Sequence, residues 1–186
     1  GRINQGEIWY QGEDLAKYKD EEFCKVRGKR ISLVFQDPLS ALNPIMRVGK
    51  QITEVLTLSN GLKSSEAKAR AIELIDAVGI PDPAGHYDHY PFQFSGGMRQ
   101  RIVIAIALAS NPEILICDEP TTALDVTIQA KILDLINDIK RDRDLSVIFI
   151  THDLGVVATM ADRVCVMYAG KIVEYGTVED IFYEPA

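Results

Sequence analysis

An α/β fold with a buried parallel sheet and an inserted helical subdomain is what this 186-residue chain predicts. Three observations carry that expectation. Short apolar runs at residues 31–35, in "EILICDEP" and in "SVIFITHD" have the length and composition of buried strands. Amphipathic stretches alternate with the latter two, the order expected of a parallel sheet covered by helices. Residues 38–94 carry helical periodicity and no strand-like run, which marks them as a separate helical block.

The elements follow in order. Residues 7–10 read as a short strand bracketed by Gly6 and Gly12, and residues 15–26 as an exposed helix. The 31–35 strand ends at Gln36-Asp37-Pro38, and "PLSALNP" reads as a loop because it holds two prolines. Helices are expected over 48–58 and over 65–78, the second with Ala67, Ala71, Leu74, Ile75 and Val78 on one face and Gly79 as its stop. A loop over 81–94 leads to "SGGMRQR". The helix beginning there presents Ile102, Ala105, Ile106 and Ala109 on one face. Residues 125–141 are helical, with Ile128, Ile132, Leu135, Ile136 and Ile139 in register, and 153–161 form a short helix. "RVCVMYAGKIVEYG" reads as two strands turned at Ala169-Gly170.

The bulk numbers narrow the function. A net charge of −7 excludes a broad nucleic-acid surface, which needs a basic face. No apolar stretch approaches the ~20 residues of a membrane span. Cys24, Cys117 and Cys165 are widely spaced without a C-x-x-C pair, and the apolar runs around Cys117 and Cys165 predict buried free thiols.

Candidate chemistry sits at a helix start and at strand ends. Ser95-Gly96-Gly97 precedes a helix whose unpaired N–H groups favour an anion, most naturally a phosphate, and the glycines permit close approach. Asp118 and Glu119 close the "ILICDE" strand, where α/β proteins bind ligands. They suit either an acidic strand cap or a site in which Asp118 holds Mg²⁺ and Glu119 polarises water. His152 in "THD" and Gln36 each end another strand; taken alone, such a histidine is more often structural and such a glutamine uninformative. His86 and His89 read as loop residues rather than a metal pair, and the run from Lys140 to Asp144 as a solvated helix end.

Taken together and in this order, the glutamine at Gln36, "FSGGMRQR", "ILICDEP", "TTALD" and "ITHD" resemble the ATP-binding-cassette (ABC) ATPases, a P-loop NTPase-like fold. "FQDPLSALNP", "SGGMRQR" and "EPTTALDVTIQAKIL" narrow the resemblance to the ATPase subunits of oligopeptide, dipeptide and nickel importers. It covers essentially the whole chain, with 1–37 and 95–186 mainly in the sheet core and about 38–94 as the helical subdomain.

The resemblance implies ATP and Mg²⁺ as cofactors and a head-to-tail dimer with a second ABC ATPase subunit. It implies Glu119 as general base and His152 as the γ-phosphate switch. Asp118 and Gln36 would act at the metal and Ser95, Gly96 and Gly97 at the partner's nucleotide, with Asp125 as the contact between the two sites. Residues 39–58 would face transmembrane permease subunits, a solute-binding protein would be engaged indirectly, and the location would be cytoplasmic, on the inner face of the membrane. The alternatives are a soluble, non-transport ABC ATPase of DNA repair or translation, and a non-enzymatic docking piece.

One departure shapes a further expectation. A phosphate loop, G-x-x-x-x-G-K-[ST], should precede Gln36, and none of Gly28-Lys29, Gly49-Lys50 and Gly170-Lys171 completes one. The chain is therefore expected to be a partial domain, truncated at its N-terminus, with neighbouring strands left open and no appreciable ATPase activity of its own.

Overall fold

The computed structural model describes residues 5–122, 124–143 and 145–184. The start of the first expected core segment (1–4), Ala123 of "TTALD", Asp144 of the charge run and residues 185–186 lie outside the described residues. In chain order the elements are β1 (Trp9–Tyr10), β2 (Glu13–Asp14), α1 (Asp20–Val26), β3 (Ile31–Val34), α2 (Pro38–Ala41), α3 (Val48–Asn60), α4 (Ser64–Ala77), α5 (Pro83–His86) and α6 (Gly96–Ala109). There follow β4 (Ile114–Asp118), α7 (Val126–Arg143), β5 (Ser146–Ile150), α8 (Leu154–Met160), β6 (Arg163–Tyr168), β7 (Lys171–Thr177) and α9 (Val178–Tyr183).

The parallel sheet has the order β3-β4-β5. Its register pairs Val34 with Cys117 and Cys117 with Phe149, so these three share one face with Ser32, Leu115 and Val147. That face is the inner one: Val34, Leu115 and Cys117 are fully buried, and α6 packs against it. The opposite face is open, with Leu33, Phe35, Ile148 and Ile150 40–51% exposed. The sheet is thus buried on one side rather than on two. β1 with β2 and β6 with β7 form separate antiparallel pairs. The second pair turns through Ala169 and Gly170, at φ +48° and +77°, the left-handed pair that a two-residue hairpin requires.

α6 departs from the expected one-sided pattern. Ile102, Val103, Ile104, Ala105, Ala107, Leu108 and Ala109 are all buried, because α6 lies between the sheet and the layer of α3 and α4. A helix covered all round needs apolar residues all round. Its Arg101 is structural: Nη1 donates to the carbonyls of Val78 and Gly79 at 3.2 and 3.0 Å, satisfying the end of α4. α3 and α4 bury Ile52, Leu56, Ala67, Ala71, Leu74 and Ile75 between themselves and α6. Buried Gln51 holds the preceding loop through the Asn43 N–H and the carbonyls of Asn43 and Met46.

Two expectations are corrected here. "PLSA" is not loop but a single helical turn. Pro38 occupies the first helical position, where no N–H is needed, and the Asp37 carboxylate accepts from the N–H groups of Leu39 and Ser40. Residues 15–19 are likewise not α-helix, since the Asp14 carboxylate accepts from Ala16 and caps a short 3-10 turn instead.

Asp14, Asp37, Asp153 and Asp180 all accept backbone N–H bonds, from Ile8 foremost for Asp14 and at helix caps for the others, and those bonds hold each carboxyl below its ordinary value. A depressed folded-state pKa contributes stability that is present above the unfolded value and lost as pH falls through the folded one. The melting temperature is therefore expected to fall steeply below about pH 4, and Asp153→Asn to flatten that fall. Equal slopes in the two proteins would contradict it.

The cysteines also differ from expectation. Cys117 is buried, and burial pushes its thiol up to about 12, but Cys24 and Cys165 are exposed. Cys165 is exposed because, among the described residues, β6 and β7 form a two-stranded pair with no further strand beside them. A thiol titration at pH 8 should show Cys24 and Cys165 reacting at once and Cys117 only after unfolding. Prompt labelling of Cys117 would contradict this packing.

Candidate active site

β3, β4 and β5 run parallel, so their C-terminal ends meet at one edge of the sheet. Gln36 follows β3, Asp118 ends β4 with Glu119 next, and His152 follows β5. Three side chains converge on the Glu119 carboxylate. Gln36 Nε2 donates to Oε2 at 3.0 Å, Thr122 Oγ1 donates to the same oxygen at 2.8 Å, and His152 Nδ1 lies 3.1 Å from Oε1. The Glu119 side chain is about one-quarter exposed and that of His152 is 71% exposed.

The backbone of Glu119 is strained. Its φ of +44° lies in the left-handed region, which a side chain of this length rarely adopts. Its N–H continues the parallel ladder by donating to the Ile150 carbonyl at 3.0 Å, while its own carbonyl accepts from Thr122 at 3.3 Å. The strand thus breaks sharply at Glu119 and aims the side chain across the strand ends. The hydrogen bond from Thr122, followed by that from His152, holds the Glu119 carboxyl below its ordinary value, against a smaller upward push from desolvation. These contacts favour the carboxylate form of Glu119.

Asp118 takes no part in this network. By register it sits opposite Ile150 on the open face, half-buried. Its carboxylate and the Gln36 amide oxygen are hard oxygen donors, the type Mg²⁺ prefers, and Mg²⁺ draws only one or two ligands from protein. The donor set fits that ion. Among the described residues no group of three or more His, Cys, Asp or Glu gathers as a metal cluster. His86 and His89 stack edge-on at 4.8 Å between centroids and lie against Phe94.

The Ser95 turn is built separately. Ser95 caps α6 by accepting from the Met98 N–H at 3.3 Å. Gly97 is buried against α7, where a Cβ would stand 2.5 Å from Ile128 Cγ2. Asp125 accepts from the Ile128 N–H at 3.0 Å and so caps the same helix. A cavity of about 150 Å³, lined by Gln36, Asp37, Gly96, Arg99, Pro120 and Leu124 among others, lies between this turn and the strand ends. The structure therefore gathers Gln36, Glu119 and His152 into one network and leaves Ser95 and Asp125 outside it. The sequence reading missed Thr122. The spacing, a hydroxyl three residues after a carboxylate, is visible in the sequence, but the left-handed turn that brings the two together is not.

The family model for "ABC transporter" matches residues 2–122. The chain belongs to the ABC transporter family. That match runs from residue 2, and it overturns the expectation of a domain truncated at its N-terminus. The expectation of a chain unable to hydrolyse ATP falls with it.

Among curated relatives of this ABC chain, the oligopeptide transport ATP-binding protein OppD of Bacillus subtilis is 59% identical over 185 residues, covering 100% of this chain and 52% of the relative. The dipeptide transport ATP-binding protein DppD of Lactococcus lactis is 58% identical over 184 residues, covering 98% and 53%. The chain spans about half the length of these relatives. Among solved structures, the dimeric bacterial ABC transporter cassette MJ0796 matches with a TM-score of 0.82 at 28% identity, covering 94% of this chain and 74% of that one. CbiO1 of Clostridium perfringens, part of the ABC transporter complex cbiONQ, matches with a TM-score of 0.84 at 26% identity, covering 97% and 69%. No helix among the described residues is long and apolar enough to cross a membrane.

Proposed function

We propose that this chain is the ATP-hydrolysing, energy-coupling part of a peptide-type ABC importer. The observation that carries the reading is the Glu119 carboxylate, strained at the end of β4 and held by side chains from the ends of β3 and β5. The named relatives supply the peptide class.

In this reading Glu119 accepts the proton of the water that attacks the γ-phosphate of ATP. With nucleotide bound, His152 would turn from Glu119 Oε1 to the γ-phosphate, and Gln36 from Oε2 to the water, its amide oxygen available to Mg²⁺. Mg²⁺, held through Asp118 and Gln36, would neutralise charge on the phosphates. Ser95, Gly96 and Gly97 would offer the α6 N–H groups to ATP held by a second subunit, with Asp125 as the contact between the two sites. Residues 39–58 would meet the permease subunits.

The test is hydrolysis by the purified protein with its membrane partners, with and without a peptide-loaded solute-binding protein. The reading expects ATP turnover that rises with peptide. Copurification with DNA or ribosomes instead of permeases would overturn it.

A further inference from the structure

Thr122 lies within "TTALD" but carries no role assigned from the sequence, yet it makes the shortest of the three contacts to Glu119. The three donors differ in where they come from. Gln36 and His152 reach Glu119 from the ends of β3 and β5, and all three donors are exposed. Thr122 belongs to the same turn as Glu119 and is tied to it twice, Oγ1 to Oε2 at 2.8 Å and N–H to the carbonyl at 3.3 Å. The two oxygens of Glu119 differ correspondingly. Oε2 accepts from both Gln36 and Thr122, whereas Oε1 is engaged by His152 alone.

We propose that Thr122 is a positioning residue for Glu119, whose hydroxyl fixes Oε2 so that Oε1 is the oxygen presented to water. The proposal rests on the reading of Glu119 as general base. When Gln36 and His152 turn to the nucleotide, two of the three contacts go. The remaining one is local, moves with the turn and needs no partner element. It keeps the carboxylate in one orientation on a backbone whose left-handed φ would otherwise leave the side chain unsupported. The hydroxyl does not transfer a proton. It donates one hydrogen bond to Oε2, and Oε1 keeps its lone pairs for the water.

Two substitutions separate this role from a packing role. Thr122→Val keeps the shape and loses the hydroxyl, whereas Thr122→Ser keeps the hydroxyl and loses the methyl. We expect Thr122→Val to lower kcat about 10- to 100-fold with the KM for ATP nearly unchanged, the loss that misplacing a catalytic group produces. Thr122→Ser should stay near the parent rate. A packing role predicts the reverse order. The second measurement needs no nucleotide: the ¹³Cδ resonance of Glu119, which should show loss of side-chain order in Thr122→Val and not in Thr122→Ser. A Val variant with parent-like kcat, or with Glu119 as ordered as before, overturns the proposal. Hydrolysis that survives Glu119→Gln overturns the base assignment instead, and the two failures are read from different proteins.

Discussion

Glu119→Gln is expected to cut steady-state ATP hydrolysis by about 10²–10⁴-fold, the range that a positioned general base contributes. The substitution preserves shape and much of the hydrogen bonding. An amide oxygen can still accept from Thr122 and Gln36, so the turn should keep its geometry. What disappears is the basic oxygen. The hydrogen bonds to Glu119 favour its carboxylate form, and the variant's amide cannot take up a proton in its place. ATP affinity should change by no more than a few-fold, because phosphate contacts are assigned to other residues. The measurement is single-turnover hydrolysis alongside nucleotide binding. A variant that binds ATP and hydrolyses it at the parent rate would remove Glu119 from the chemistry.

The second large effect is expected at Gly97. A Cβ there would lie 2.5 Å from Ile128 Cγ2, well inside contact distance, and Ile128 is β-branched and half-buried. Overpacking of this kind costs about 1–3 kcal/mol, set against a gain of up to about 1 kcal/mol from replacing glycine in a helix. Gly97→Ala should therefore destabilise the protein by about 1–2 kcal/mol in denaturant unfolding. Combined with Ile128→Ala, the penalty should shrink, giving an interaction energy near 1 kcal/mol in a double-mutant cycle. Additive effects would show that α6 and α7 do not press on one another at this point. Hydrolysis adds a separate readout. If the turn must also approach a phosphate, activity stays impaired in the double variant although its stability recovers.

Much of this was legible in the sequence, and the reasons are specific. The three apolar runs became β3, β4 and β5 because their length and composition leave few other structures. Their parallel order then brings Gln36, Glu119 and His152 to one edge, so the convergence follows from topology as soon as the strands are assigned. α4 was legible from its periodicity and from Gly79. Thr122 was not, because threonine after a strand is common and only the left-handed turn at Glu119 swings its hydroxyl onto the carboxylate. α2 was hidden by its prolines, since Pro38 begins a helical turn as readily as it breaks one. The exposure of Cys165 and the open face of the sheet were hidden for another reason. An apolar run shows that a strand can be buried, not which of its faces is covered.

The all-round burial of α6 has a mechanical consequence. The helix that starts at the Ser95 turn is gripped by the sheet on one side and by α3 and α4 on the other. It also holds the end of α4 through Arg101. Such a rod cannot bend or slide by small increments without opening voids in close-packed surroundings. Displacing its glycine mouth therefore means repacking both layers at once, and its amides should be among the slowest in the molecule to exchange with solvent.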